Sequence, residues 1–119
     1  MSDIRDFKDL LVWQKSMQLS IKVFGITKKL PKEEMYGMSS QLRRAAVSVA
    51  ANIAEGHGRN TKGEYRQFLG IAKGSLAELE TLLLLSKEMD YLNSITLTET
   101  LDLVVDCNRM LKKLIQALK

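Results

Sequence analysis

Several residue types that mark common functions are scarce in this chain of 119 residues. The single cysteine, Cys107, excludes an intrachain disulfide and a thiolate zinc site, and it is expected to be a small apolar side chain on the last helix. No uncharged run is long enough to span a bilayer, and the first residues, MSDIRDF, do not resemble a signal peptide. These absences predict a soluble, cytoplasmic protein that does not contact a membrane.

Motifs of the common enzyme classes are also missing. There is no Gly-x-Ser-x-Gly nucleophile elbow, and GIAKGS at 70–75 lacks both the residue order and the preceding strand of a phosphate-binding loop. The single histidine, His57, lies between two glycines and lacks the Glu-x-x-His spacing of a metal site in a helical bundle. We therefore predict a protein that is not an enzyme and that binds no metal and no cofactor.

With one proline, few aromatic residues and no β-branched alternation, helix is the only secondary structure that the pattern supports. Four segments place apolar residues at steps of three or four, and they predict helices at about 6–30, 38–55, 62–89 and 96–118. Pro31 ends the first helix, the glycines of GHGR end the second in the left-handed conformation, and capping boxes, TKGE and TLTE, open the third and fourth. Short connections then predict a single domain, an antiparallel up-down-up-down four-helix bundle.

Each helix has a predicted core stripe. The first comprises Leu10, Trp13, Met17, Ile21 and Phe24, and the second Leu42, Ala45, Ala46, Val49 and Ile53. The third comprises Tyr65, Phe68, Leu69, Ala72, Leu76, Leu79 and Leu83, and the fourth Leu101, Val104, Val105, Leu111, Leu114, Ile115 and Leu118.

Two helices carry more small and apolar residues than a single core can use. Steps of 100° place two sets of such residues away from the core stripes, Gly70, Gly74, Ala77 and Thr81 on the third helix and Val47, Ala50 and Ala54 on the second. Because glycine inside a helix costs about 1 kcal/mol relative to alanine, these positions predict close approach of another chain, and hence an oligomer interface. On the polar side of the second helix, Asn52 and Glu55 are expected to form a structural hydrogen-bond network.

Charge is distributed unevenly around a net value of +4. Residues 10–32 hold five lysines and no acid, whereas residues 74–108 hold seven acids against Lys87 alone. This segregation suits a nucleic-acid contact, and it suits equally an assembly in which the basic face of one subunit meets the acidic face of the next. The candidate contacts to RNA or DNA come from the first helix and from a second basic group around the turn between helices two and three: Lys15, Lys22, Lys29, Arg43, Arg44, Arg59, Lys62 and Arg66.

The segments RRAAVSVAANIAEGHGR and EYRQFLGIAKGSLAELET strongly resemble the four-helix bundle proteins encoded in intervening sequences of bacterial 23S ribosomal RNA genes. Asn52 to Gly56 fits the NIAEG signature of that family, and Gly74-Ser75-Leu76 with Glu78 and Glu80 fits its GSLxExE segment. The resemblance implies a four-helix bundle that assembles into a homopentameric ring and has no enzymatic activity. It also implies a likeness in form to the accessory proteins of diversity-generating retroelements, which are basic and contact nucleic acid.

Overall fold

The structure is a computed structural model, and it describes residues 6–119. Four α-helices account for most of that range: α1 (Leu11–Thr27), α2 (Met38–His57), α3 (Lys62–Glu88) and α4 (Ser94–Ala117). Short 3-10 helices at Phe7–Asp9 and Lys32–Glu34 precede α1 and α2, and residues 6–119 contain no strand. The all-α class predicted from the sequence is confirmed.

The helices pack as a square in section. α1 contacts α2 and α4, α3 contacts the same two helices, and the diagonal pairs do not approach one another within the described range. Cross-helix contacts show the direction of each helix. Lys15 pairs with Asp106 and Lys22 with Glu99, so α1 and α4 run in opposite directions. Residue 20 meets 46 and residue 27 meets 43, so α1 and α2 are also antiparallel. Residue 48 meets 75 and residue 56 meets 68, so α3 runs against α2, and the bundle has the up-down arrangement.

One hydrophobic core fills the space between the helices. The predicted stripe of α2 is buried in full, and on α3 the five residues from Leu69 to Leu83 are buried while Tyr65 and Phe68 are half-buried. On α4, Val104 and Leu111 are buried, whereas Val105 is 58% exposed, so its predicted place in the core stripe is wrong. Each fully buried leucine or valine contributes about 1.5–3 kcal/mol relative to an exposed one, so the core is the main source of stability.

The predicted core stripe of α1 is wrong in most of its members. Only Leu10 is buried, Ile21 is 70% exposed, and Met17 and Phe24 are each 38% exposed. The core instead receives a second stripe about 140° around the helix: Val12, Ser16, Leu19, Val23 and Ile26. Both stripes have helical spacing, so the period could not distinguish them. The smaller side chains occupy the bundle interior. There the hydroxyl of Ser16 donates a hydrogen bond to the carbonyl oxygen of Trp13 (2.7 Å).

Three helix ends differ from their predicted positions. Asp6 caps a 3-10 turn by accepting a hydrogen bond from the amide of Lys8, and Leu10 is extended, so α1 begins only at Leu11. α4 begins at Ser94, because the side chain of Asn93 accepts a hydrogen bond from the amide of Thr96 (2.8 Å). The predicted capping box of Thr96 and Glu99 is therefore wrong. α1 ends at Thr27, three residues before its predicted end.

The end of α2 has a different cause from the predicted one. No glycine in the described range has a positive φ, so the left-handed ending expected for GHGR does not occur. α2 continues to His57, and Gly56 lies inside it against α3, where a Cβ would stand 2.9 Å from Phe68 Cβ and 3.2 Å from the carbonyl oxygen of Tyr65. Gly56 is thus required for close helix packing. α3 begins as predicted, since the Thr61 hydroxyl oxygen accepts a hydrogen bond from the amide of Glu64 (3.1 Å).

At the opposite end of the bundle, Glu34 connects the two remaining turns. Its carboxylate accepts hydrogen bonds from the amide of Met38 (3.0 Å) and from the hydroxyl of Tyr91 (2.6 Å). The hydrogen bond from Tyr91, followed by that from Met38, lowers the pKa of Glu34 below its ordinary value. The first turn of α2 and the turn between α3 and α4 are thereby held together.

Candidate functional site

An apolar groove runs along the outside of the bundle between α1 and α2. Its volume is about 700 Å³, and the residues that line it are Trp13, Met17, Ser20, Ile21, Phe24, Gly25, Lys28, Val47, Ala50, Ala51 and Ala54. The stripe predicted for the core of α1 forms one wall, and the predicted interface residues Val47, Ala50 and Ala54 form the other. Val47 is 48% exposed, whereas Ala50 is buried on the floor of the groove. Residues predicted for the core of α1 and residues predicted for an oligomer interface on α2 therefore line the same groove.

Basic residues border one end of this groove. Lys28 is among its lining residues, and the guanidinium of Arg43 lies 5.4 Å from the centre of the Phe24 ring. Arg43 also donates a hydrogen bond to the hydroxyl of Thr27 (2.9 Å), which holds it at the C-terminal end of α1. Arg44 is exposed one helical turn before Val47. An occupant of the groove would therefore meet apolar walls and a positive border.

The outer face of α3 carries the second set of predicted interface residues. Gly70, Gly74, Ala77 and Thr81 are all exposed, and a Cβ placed on Gly70 or Gly74 would have no neighbour within 4 Å. Larger apolar side chains border this row, since Ile71, Leu84 and Leu85 are 44–48% exposed. Glu78 and Glu80 are exposed beside it. The face is smooth and apolar, the half-buried Lys73 borders it as well as the two acids, and two of the four consecutive leucines, Leu84 and Leu85, are exposed.

Two lysines of α1, Lys15 and Lys22, lie against acidic side chains of α4 in the same chain. Lys15 Nζ is 3.8 Å from Asp106 Oδ2, and Lys22 Nζ is 2.8 Å from Glu99 Oε1. Some of the positive charge of residues 10–32 is thus neutralised by acids of the same chain. Exposed ion pairs of this type contribute at most about 1 kcal/mol each, but they reduce the positive potential along α1.

The second predicted basic group is divided between the two ends of the bundle. Arg43 and Arg44 lie near the start of α2, roughly 20 Å along the helix axis from its end at a rise of 1.5 Å per residue. Arg59, Lys62 and Arg66 lie at the turn between α2 and α3. Sequence proximity had grouped these residues, whereas the length of α2 separates them.

A basic end of the bundle results from the contact between α3 and the last residues of the chain. Arg66 Nη1 donates a hydrogen bond to the carbonyl oxygen of Leu118, which brings Lys119 beside the start of α3. The guanidinium of Arg59 stacks over the Phe68 ring at 4.5 Å and pairs with Glu55 at 3.5 Å. We call Arg59, Lys62, Arg66 and Lys119 the basic end. Among residues 6–119, no acidic side chain lies within 4 Å of the amino group of Lys62 or Lys119.

The polar side of α2 contains a short hydrogen-bond network with α3. Asn52 Nδ2 donates to the carbonyl oxygen (2.8 Å) and the hydroxyl (3.0 Å) of Ser48, and the hydroxyls of Ser48 and Ser75 are 2.8 Å apart. Glu55 lies outside this network, with a side chain that is 58% exposed and paired with Arg59. The predicted participation of Glu55 in this network is therefore wrong, because its exposed carboxylate pairs with Arg59 instead.

Residues with reactive side chains occupy structural positions. His57 packs edge-on against Tyr65, with ring centres 5.9 Å apart. Cys107 is fully buried, and burial, with the nearby charge of Asp106, raises the pKa of its thiol to about 11. Within residues 6–119, no three histidine, cysteine, aspartate or glutamate side chains come together in a way that could hold a metal ion. None of the four helices combines the length and the apolar character that crossing a bilayer requires.

These features define a small four-helix bundle with an apolar groove, a smooth outer face on α3 and a basic end. The chain belongs to the 23S rRNA-intervening sequence protein family, whose model matches residues 8–113. A solved structure from Bacteroides thetaiotaomicron, described as a protein of unknown function from the S23 ribosomal protein family, superposes with a TM-score of 0.82 at 24% identity, covering 88% of this chain and 98% of that one. At this identity the likeness concerns the fold alone. A comparison with curated proteins found no match.

Proposed function

We propose that the protein acts without catalysis, as a self-associating four-helix bundle in the cytoplasm that binds the phosphate backbone of structured RNA or DNA. The observation that carries the nucleic-acid part is the basic end, where the contact between Arg66 and Leu118 gathers cations from α3 and from the end of the chain. Proteins that neutralise phosphates with lysine and arginine bind nucleic acid without base contacts, and their affinity depends steeply on salt. Few aromatic residues are available for base stacking, which favours backbone contacts.

Not all eight predicted contacts support this function equally. Lys15 and Lys22 are paired with acids of α4, and Arg43 is held by Thr27 and Phe24. Lys29 and Arg44 are exposed, but they lie at the end of the bundle opposite the basic end. We therefore place the main contact at the basic end and treat Lys29 and Arg44 as a second, weaker site. In an oligomer, several copies of the basic end would add their charges on one assembly.

The test measures binding of fluorescent RNA and DNA duplexes to the intact oligomer by anisotropy at low and moderate salt. One variant carries Lys62→Glu with Lys119→Glu, and the matched variant carries Lys29→Glu with Arg44→Glu. Each replacement lowers the charge by two, so both variants reduce the net charge from +4 to zero. Arg59 and Arg66 are left unchanged because they contact Glu55 and Leu118.

We expect the first variant to bind at least tenfold more weakly than the wild type, and the second to lose clearly less. Equal losses would mean that affinity follows net charge alone and would contradict the assignment to the basic end. Absence of binding by the wild type at low salt would refute nucleic-acid binding altogether.

A second candidate function is a protein-interaction or scaffold module in which the charge segregation serves assembly only. The apolar groove between α1 and α2 favours it, since exposed apolar surfaces of this kind mark interaction sites. It predicts an oligomer that forms normally and binds neither duplex at any salt concentration.

A further inference from the structure

We propose that a nucleic-acid duplex lies lengthwise along the outer seam between α3 and α4, where its phosphates contact a row of cations that begins at the basic end. This inference rests on the nucleic-acid binding proposed above, and it names the class of nucleic acid and the surface that receives it. The cations come from both helices, and we call them the basic seam: Lys62, Arg66, Lys73, Lys112 and Lys119. Two of them, Lys73 and Lys112, lie beyond the basic end.

The register of α3 and α4 places Lys73 on this seam. Arg66 Nη1 donates a hydrogen bond to the carbonyl oxygen of Leu118, so this side of α3 faces α4. Lys73 follows Arg66 by seven residues, a rotation that is only about 20° short of two full turns. Ser75 contacts Ser48 of α2, on the other side of the helix. Lys73 therefore lies in the same row as Arg66, about 10 Å further from the basic end.

Lys112 lies on α4 across the seam from this row. Asp106 faces α1, where it pairs with Lys15, and Lys112 is about 120° around the helix from Asp106. The fully buried Leu111 separates these two directions, so Lys112 is on the side of α4 that faces α3. Because the helices are antiparallel and residues 66 and 118 meet, Lys73 is level with residue 111. Lys73 and Lys112 thus stand on opposite sides of the seam.

No acidic side chain neutralises the basic seam. Among residues 6–119, no carboxylate oxygen lies within 4 Å of any of its five cations, whereas Lys15 and Lys22 of α1 pair with acids of α4. Residues 65–77 of α3 and residues 107–119 of α4 contain no aspartate or glutamate. The positive potential of the seam is therefore available to an anionic partner, unlike that of the paired lysines on α1.

The length of the basic seam suits a stretch of nucleic-acid backbone. From Lys62 to Lys73 the cations extend over about 16 Å at a rise of 1.5 Å per residue. The next position in the row is the exposed Glu80, which ends the positive surface. One strand of a duplex places a phosphate about every 3.4 Å along the helix axis, so the seam spans roughly five phosphates.

The basic seam favours a duplex over a single strand. Single-strand sites combine cations with aromatic side chains on which the bases stack. Residues 107–119 of α4 contain no aromatic residue, and on α3 Tyr65 and Phe68 pack against Gly56 of α2 instead. A duplex keeps its bases inside and presents one charge per about 1.7 Å of axis, so it requires only cations from the protein.

The experiment removes charge from the part of the basic seam that lies beyond the basic end. The seam variant carries Lys73→Gln with Lys112→Gln, and the matched control carries Lys87→Gln with Lys32→Gln. Lys87 is half-buried like Lys73 and lies beyond Glu80 on the same side of α3, and Lys32 is exposed like Lys112. Both variants lower the net charge from +4 to +2. A third variant, Lys73→Arg with Lys112→Arg, retains both charges.

Fluorescence anisotropy measures the Kd of each intact protein for labelled DNA and RNA duplexes, and for one separated strand of each, over a series of salt concentrations. Light scattering and circular dichroism check the mass and the helix content. We expect the seam variant to bind both duplexes at least about tenfold more weakly than the wild type at low salt. The salt dependence of its affinity should also be shallower by about two in the log-log slope, since each lost phosphate contact removes about 0.9.

The control variant should lose less than about threefold in affinity and keep the slope of the wild type. The arginine variant should bind as the wild type does, because the charges remain. The separated strands should bind the wild type more weakly than the duplexes at the same salt concentration.

Other outcomes overturn the proposal in distinguishable ways. Equal affinities of the seam variant and the control would exclude the seam and leave binding at the basic end standing. Loss of affinity in the arginine variant as well would show that packing, and not charge, had been changed. A smaller mass of the glutamine variant that arginine restores would assign the two lysines to assembly. Separated strands that bind as tightly as duplexes would exclude the duplex as the partner. Absence of binding to every probe by the wild type would refute the function proposed above.

Discussion

Replacement of Gly56 by alanine tests the packing of α2 on α3 at a position where α3 leaves no space for a Cβ. The added methyl group would lie 2.9 Å from Phe68 Cβ, 3.0 Å from Tyr65 Cδ1 and 3.2 Å from the carbonyl oxygen of Tyr65. Two of these atoms are a Cβ and a backbone oxygen, so no change of rotamer can move them away. Relief requires a displacement of one helix relative to the other.

The expected size of the effect follows from two opposing contributions. Overpacking at a tight contact costs typically about 1–3 kcal/mol, whereas alanine is favoured over glycine in a helix by up to about 1 kcal/mol. We therefore expect Gly56→Ala to lower the free energy of unfolding by about 1–2 kcal/mol. For a chain of this length, that corresponds to a fall in Tm of roughly 3–8 °C.

Gly58→Ala is the matched control, two residues further along the same turn. Its Cβ would meet only carbonyl oxygens at 3.6 and 3.9 Å, and its φ of −82° is accessible to alanine. This variant should be as stable as the wild type or more stable, by up to about 1 kcal/mol. Urea unfolding followed by circular dichroism, at two protein concentrations to separate folding from assembly, measures both. If Gly56→Ala were as stable as Gly58→Ala, the close approach of α2 and α3 would be refuted.

Three further predictions concern single side chains elsewhere in the bundle. Cys107 should react with a disulfide reagent at pH 8 at least about a hundredfold more slowly in the folded chain than in denaturant, because burial raises the pKa of its thiol to about 11. A reaction rate near that of the unfolded chain would contradict its burial. Because the pKa of Glu34 is lowered in the folded chain, its stabilising contribution is present above the ordinary pKa of a glutamate and is lost as the pH falls through the lowered value. Glu34→Gln should therefore reduce Tm more at pH 7 than at pH 3, and an equal reduction at both would argue against the charged hydrogen bond from Tyr91. Ser75→Ala removes the partner of Ser48 and should lower the free energy of unfolding by about 0.5–1 kcal/mol in urea, whereas a more stable variant would show that this hydrogen bond contributes nothing.

Helix periodicity carried most of the fold prediction, and it failed where two apolar stripes share one helix. On α2, the stripe through Leu42, Val49 and Ile53 was identified correctly, although Val47, Ala50 and Ala54 form a second side of small and apolar residues. On α1, the stripe with the larger side chains was chosen, and the core took the one through Leu19 and Val23. Residue size gave the wrong answer here, because the smaller set is buried in the core and the larger side chains line the groove.

Candidate surfaces were predicted to different degrees. The exposed row on α3 could be recognised because two glycines four residues apart are unfavourable inside a helix unless something requires them. The wall of the groove on α1 was not recognised, since its residues had been assigned to the core. The basic end also depends on a contact between residues 52 positions apart, Arg66 and Leu118, which no local pattern contains.

The amino-acid sequence by itself determined the four helices, the buried faces of α2 and α3, the cap at Thr61 and the unequal distribution of charge. All of these depend on residues close together in the chain, where propensity, spacing and capping act directly. Only the tertiary structure decided which stripe of α1 enters the core, that Lys15 and Lys22 pair with acids of α4, and that Gly56 serves packing and not a left-handed turn. Those outcomes depend on how much space and which charges the neighbouring helices present, and residues distant in sequence set both.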